Sequence, residues 1–242
     1  MRRKTLAVLT ALTMAGALGL LVPVAAGAAG GPAPAGYEPV LNPADFVRAV
    51  TNPYFPLPVG RTLIYRGIRD GVTQIDTVHV TSRTRVLEGI TATAVSDVAT
   101  HKGKLLEKTT DWYAQDKQGN VWYLGERTAA FSGGHADHSG SWLAGVHDGE
   151  PGIVMKANPQ IPDAYRQEFL AGQAEDTAWI VNRGGSLKLP VEVVHNVVTS
   201  LEFTVLEPTV VDKKIYAPGL GIVKEQAVQG PQEVATLVSV RG

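Results

Sequence analysis

The sequence predicts a mainly β protein: a single curved antiparallel sheet or half-barrel meander, with one short N-terminal helix after a signal peptide. Three observations carry that expectation. From Arg61 onward, short runs rich in Val, Ile, Thr, Tyr and Trp alternate with turn dipeptides such as Asp70-Gly71, Glu88-Gly89 and Lys102-Gly103. No internal segment sustains a long helical period. The 242 residues include no cysteine, so an exported chain would be held by its core alone, without disulfides or thiolate metal sites.

The elements follow in chain order. Arg2, Arg3 and Lys4 precede an uncharged apolar run, and Ala26-Gly27-Ala28 supplies a small-x-small cleavage site; this is the layout of a signal peptide over residues 1–28. The run from Thr5 to Ala29 is long enough to span a membrane, but Pro23 and its Ala/Gly-rich end favour cleavage. Residues 29–41 form a flexible Pro/Gly/Ala-rich spacer. A single antiparallel β domain is expected over 42–242. It opens on "NPADFVRAV", where Asn42 can cap a helix, Pro43 suits its first position, and Phe46 and Val50 share a face. Pro53, Pro56 and Pro58 end that helix, and strands and turns continue to "EVATLVSV".

Charge narrows the partners. Removing Arg2, Arg3 and Lys4 lowers Lys plus Arg from 22 to 19 against 23 Asp plus Glu, leaving the mature chain near −4. Its basic residues are scattered, so nucleic acid and anionic membrane surfaces are poor partners. With no cysteine to follow the leader, a lipidated anchor is excluded as well. The expected protein is secreted, extracytoplasmic and non-lipidated, with no membrane span in its mature form.

"DWYAQDKQGNVWYLGE" is the most informative short segment. Its Asp-Lys-Gln-Gly turn fits a hairpin with Gly119 in the left-handed bulge position. That register pairs Gln115 with Val121, Ala114 with Trp122, Tyr113 with Tyr123 and Trp112 with Leu124. Trp112 and Trp122 then fall on one face, Tyr113 and Tyr123 on the other. With both faces aromatic, one would join the core while the other lines a groove for a small apolar or aromatic ligand, the Tyr hydroxyls serving as polar handles. Trp112, Tyr113, Trp122 and Tyr123 are therefore the candidate ligand-binding residues.

The strings "NPYFPLPVGRTLIYRG", "DWYAQDKQGNVWYLGE", "GSWLAGV" with "PGIVM", "DAYRQE" and "YAPGLGIVKE" together resemble an uncharacterised family of exported actinobacterial-type proteins. The resemblance runs from about Asn52 to Val240. More loosely, the opening and closing strings are similar to extracytoplasmic lipoprotein-carrier and lipocalin-like half-barrel domains. The resemblance implies a fold class and a compartment; it transfers no reaction, ligand or catalytic residue.

Little else looks like chemistry. "FSGGHADHSGSWLAGVHDGEPG" holds His135, His138 and His147 with Asp137, Asp148 and Glu150, ligand types suited to zinc. Flanked by glycines and serines, the stretch reads as a solvated excursion between strands, with "SWLAGV" docking it to the sheet. A metal-binding protein or metal-dependent hydrolase using these histidines is the alternative reading, and a structural cell-surface interaction protein the second. His195, in phase with Val191, Val193 and Val197, is expected in the core. Glu168 in "YRQEF" is expected to form a cross-strand ion pair. There is no G-x-S-x-G elbow, S-x-x-K or H-E-x-x-H motif. No catalytic residue is assigned and no cofactor is expected. The leading reading is a non-enzymatic module that binds a small apolar ligand or a cell-envelope component.

Overall fold

The computed structural model describes residues 37–69 and 71–242. The expected signal peptide, most of the expected spacer and Asp70 of the first turn lie outside the described residues. Among the described residues, eleven strands of six residues or more carry the architecture: β1 (Thr62–Arg69), β2 (Val72–Leu87), β3 (Ile90–His101), β4 (Lys104–Asp116), β5 (Val121–Ser132), β6 (Glu150–Met155), β7 (Asp176–Arg183), β8 (Val198–Thr204), β9 (Val211–Ala217), β10 (Gly221–Gln229) and β11 (Glu233–Arg241). All neighbours are antiparallel, in the order β7-β8-β9-β10-β11-β1-β2-β3-β4-β5-β6. The last strand therefore pairs with the first, and the two outer positions fall to β6 and β7.

One short segment joins those outer strands. Ala164–Arg166 pairs with β7, through Tyr165 opposite Ala178, and Glu168–Phe169 pairs with β6, through Glu168 opposite Pro151. The sheet thus curls into a nearly closed barrel, with residues 164–169 as its seam. Gly152 permits this closure: a Cβ there would collide with the backbone of Gln167 and Glu168, so only glycine lets the two chains meet.

The hairpins form as the dipeptides dictate. Glu88 and Gly89 have φ of 48° and 77°, and Lys102 and Gly103 48° and 78°, the doubly left-handed turn that matches strand twist. The aromatic hairpin keeps the expected pairs Tyr113–Tyr123, Ala114–Trp122 and Gln115–Val121. Beyond them the register slips by one residue, and Asp111 faces Glu126. The extra residue lies on β5 at Leu124-Gly125, where Gly125 has a φ of 129°. This bulge inverts the alternation, so Tyr123 and Glu126 both turn inward.

Two expectations need correction. Residues 42–50 do not form a helix: Asn42 caps a single 3-10 turn, Pro43–Asp45, by accepting a hydrogen bond from the Ala44 N–H at 3.1 Å. Phe46 and Val47 then extend and pair with Asp116 and Gln115, and Phe46 packs edge-on against Trp122. Strand pairing and burial of Phe46 outweigh the propensity of a segment too short to stabilise a helix alone. His195 is not a core residue either. It lies exposed on a two-stranded flap, Ser186–Lys188 with Val193–His195, where Val194 is the residue turned inward. Its Nδ1 is 2.7 Å from Ser186 Oγ.

Candidate ligand pocket

The barrel interior is stratified along its axis. Near the turns at 88–89, 117–119 and 218–219 it is apolar, and the segment Val50–Leu57 closes that end. Gln115 clamps the segment, its Oε1 accepting from the Thr51 and Asn52 N–H groups at 2.7 Å each. Asn52 Nδ2 donates in turn to the Gly119 and Lys156 carbonyls. Toward the opposite end the same strands turn carboxyl groups inward. Asp76, Asp97, Glu107, Asp111, Glu126, Glu168, Glu202 and Glu225 are all buried, and among the described residues Lys214 is the one buried cation. Its Nζ lies 2.8 Å from Glu202 and 3.9 Å from Glu225.

Tyrosines mark the border between these layers. Tyr123 donates to Asp111 Oδ1 at 2.7 Å, Tyr216 to Glu202 Oε1 at 2.8 Å, and Tyr65 to the Ile222 carbonyl at 2.8 Å. A train of rings runs across the interior from plug to seam. Phe55 meets Tyr113 edge-on at 5.0 Å, Tyr113 stacks on Tyr123 at 4.9 Å, and Tyr123 meets Trp142 edge-on at 5.4 Å. Trp142 ends the train by donating its Nε1–H to Glu168 Oε2 at 2.7 Å.

A small open-mouthed pocket, about 60 Å³ in cavity volume, enters beside the plug. Phe55, Leu57, Leu63, Val78, Val95 and Ile222 make its apolar wall, and it reaches Tyr65, Tyr113, Asp97 and Asp111. Asp97 is 2 % exposed, and its Oδ1 has no hydrogen-bond partner. Burial is the largest cause that raises the Asp97 pKa well above the carboxylate range, followed by the negative charge of Asp76 and a hydrogen bond with it. Burial also pushes Asp111 up to about 7, against the opposing hydrogen bond from Tyr123. The pocket thus combines a dry wall with carboxyl groups that hold protons near neutral pH.

The four candidate residues are distributed unequally around this site. Tyr113 lines the pocket, and Tyr123 lies behind it, holding Asp111. Trp112 is buried under the Arg85 guanidinium, 4.7 Å from its ring centre. Trp122 donates its Nε1–H to Asp116 Oδ2 and borders Phe46. Sequence reasoning passed over Asp97, Asp111 and Tyr65. A signal was available: Asp97 keeps the phase of Val95 and Ala99, and Asp111 that of Tyr113.

Glu168 also departs from expectation. It is fully buried at the seam and accepts from Trp142 instead of pairing with a surface cation. Burial, reinforced by Asp176, raises its pKa well above the usual range. Glu126, beside it in electrostatic reach, has neither carboxyl oxygen hydrogen-bonded, and burial likewise raises its pKa.

The histidine-rich stretch is more regular than expected. Gly133-Gly134 turn a small hairpin in which His135–Asp137 pairs back onto Ala130–Ser132. His138 Nδ1 lies 2.7 Å from the Thr128 carbonyl, and Trp142–Leu143 docks on Gly125–Glu126. His135 and His147 are exposed. Among the described residues no group of three or more His, Asp or Glu side chains is arranged to hold a metal ion, so the loop histidines are not brought together as ligands. No helix among the described residues is long and apolar enough to cross a membrane.

No family model matches the chain, and no curated protein matches it. Among solved structures it is similar to a protein from Bacteroides fragilis described as exported and of YmcC-like fold, at 15 % identity and a TM-score of 0.47 over 78 % of this chain and 99 % of that one. It is also similar to a protein from Parabacteroides distasonis described as a lipoprotein, at 13 % identity and a TM-score of 0.41 over 78 % and 98 %. Likeness at these scores carries no functional argument.

Proposed function

We propose that this protein is a non-enzymatic extracytoplasmic binding module that takes a small, largely apolar ligand into the pocket beside its plug. The observation that supports this reading is a cavity with an apolar wall that ends on a buried carboxyl oxygen lacking a partner. Binding sites of this kind pair a greasy wall with a few polar groups that fix orientation. Tyr113 contacts the ligand, Tyr123 positions Asp111, and Trp112 and Trp122 brace the hairpin from outside. The leader-like N-terminus and the exported-family strings support the compartment.

The test is fluorescence of N-phenyl-1-naphthylamine, a probe that brightens on leaving water. A saturable rise is expected with the wild-type protein. Leu63→Trp, which fills the pocket from its wall, should abolish the rise while the circular dichroism spectrum persists. No rise with the wild type would sink the proposal.

A second reading, a protein-contact role, is favoured by one feature. Trp179 and Phe203 are 44 % and 39 % exposed on the adjacent strands β7 and β8, as diagonal neighbours on the outer face. Concentration-dependent elution from a sizing column, reversed by Trp179→Ser, would support it.

A further inference from the structure

We infer that the pocket is built for a small amphiphilic amine, its apolar or aromatic body against the wall and its ammonium group at Asp97. This rests on the ligand-binding reading above and narrows it to a chemical class.

The argument begins with what surrounds Asp97. On β2 it meets Asp76, with which it shares a hydrogen bond, and on β4 the charges of Asp111 and Glu107 reach it. Tyr65 on β1 and Tyr113 on β4 bring neutral phenols to the same space. The plug residues Phe55, Pro56 and Leu57 and the β10 residues Gly221 and Ile222 bring no charge. The charged groups that act on Asp97 are thus acidic throughout. Lys214 is engaged with Glu202 and Glu225 deeper in the barrel, and Arg61 at the rim donates to the Gly219 carbonyl at 2.7 Å.

Each class of occupant can be weighed against this setting. An anion would find no free cation to meet among the described residues, since Lys214 is engaged with Glu202 and Glu225 and Arg61 with the Gly219 carbonyl. A hydrated inorganic cation would have to shed its water between apolar walls, and no group of three ligand side chains exists among the described residues to replace it. A neutral alcohol could hydrogen-bond to Asp97 Oδ1 but offers the carboxyl group no charge to pair with. An ammonium group on an apolar body meets every condition.

Proton balance follows from the same geometry. Without an amine Asp97 retains a proton, because burial and the neighbouring carboxyl groups disfavour its ionised form. An arriving ammonium favours the carboxylate, and that proton leaves to solvent. Affinity for an amine therefore rises with pH across the range in which Asp97 is protonated, whereas affinity for an alcohol does not.

The experiment is isothermal titration with 2-phenylethylamine, 2-phenylethanol and phenylacetate, near pH 6 and pH 8, in buffers of different ionisation enthalpy. The amine should bind about tenfold or more tighter than the alcohol at the higher pH. It should release a proton and weaken toward the lower pH, with phenylacetate weakest of the three. Asp97→Asn, a near-isosteric change, should erase the amine preference while leaving the alcohol's affinity in place. Leu63→Trp should block all three. Equal binding of alcohol and amine, or tighter binding of phenylacetate, overturns the amine assignment and leaves the binding module standing. Absence of binding by all three, with no response from the naphthylamine probe, overturns both.

Discussion

The two ends of the barrel interior are built from the same strands, yet one is apolar and the other acidic. On β4 the inward positions run Glu107, Thr109, Asp111, Tyr113 and Gln115, passing from carboxyl groups to the clamp on the plug within nine residues of chain. On β2 the same passage runs Gln74, Asp76, Val78 and Val80. The comparison teaches that a barrel can bury carboxyl groups if they cluster. Together they hold protons, bond to tyrosines and gather round one lysine, whereas a single carboxylate among the valines would have none of these compensations. The pocket opens where the two regimes meet, and that placement gives it both a wall and a polar end.

The comparison can be broken most severely at the border itself. Gly152 opposes Tyr123 there, and Gly152→Ala forces a methyl group into the seam backbone. A loss of about 4 kcal/mol or more in chemical denaturation is expected, with the acidic half opening to solvent. Lys214→Met attacks the acidic layer alone. It strands Glu202, which lies 2.8 Å from the Lys214 ammonium, and should cost about 3–5 kcal/mol in the same measurement.

pH sharpens the contrast without any substitution. Burial is the largest cause pushing Asp111 and Asp176 up to about 7 and Glu225 up to about 8. These folded values exceed the unfolded ones, so the native state holds more protons through that window. Their contribution is full below the unfolded carboxylate pKa and is lost as pH rises through 7 and 8. Thermal scans should give a melting temperature about 5–10 °C higher near pH 5 than near pH 8, the reverse of ordinary acid denaturation. Equal melting temperatures would mean that the acidic layer is solvated. Tyr123→Phe is a milder probe: removing the donor to Asp111 should cost about 1–3 kcal/mol and move the Asp111 titration upward. The smallest effect belongs outside the barrel. His138→Ala should change stability by less than about 1 kcal/mol, and added zinc should leave the melting temperature of either protein unmoved.

Much of the fold was legible because turns and alternation are local signals. The Glu88-Gly89 and Lys102-Gly103 turns, the Gly119 bulge position and the Tyr113–Tyr123 pairing follow from short-range backbone preferences. Residues 42–50 misled because a good cap and a helical phase were outweighed by contacts with Gln115 and Asp116, far along the chain. The lining of the candidate pocket was only partly legible. Tyr113 stood out as an aromatic on a two-faced hairpin, but the carboxyl layer did not. Polar residues alternating along a strand ordinarily face water, and Glu107 alternates with Lys108 and Thr110 so that both faces look polar. Glu126 was hidden further by the bulge at Gly125, which reverses the inward phase. Only the three-dimensional closure shows which polar face is the inner one.

Closure also has a weak stave. Most neighbouring strands are fastened over long ladders, such as the eight paired positions between β1 and β2, but residues 164–169 hold β7 by three and β6 by two. Amide exchange in this barrel should therefore begin there, and the same opening would bring solvent to Glu168 and Gln167 before any long ladder parts. The wall that completes the cylinder doubles as its slowest-latching door, set a strand's width from the most deeply buried acids.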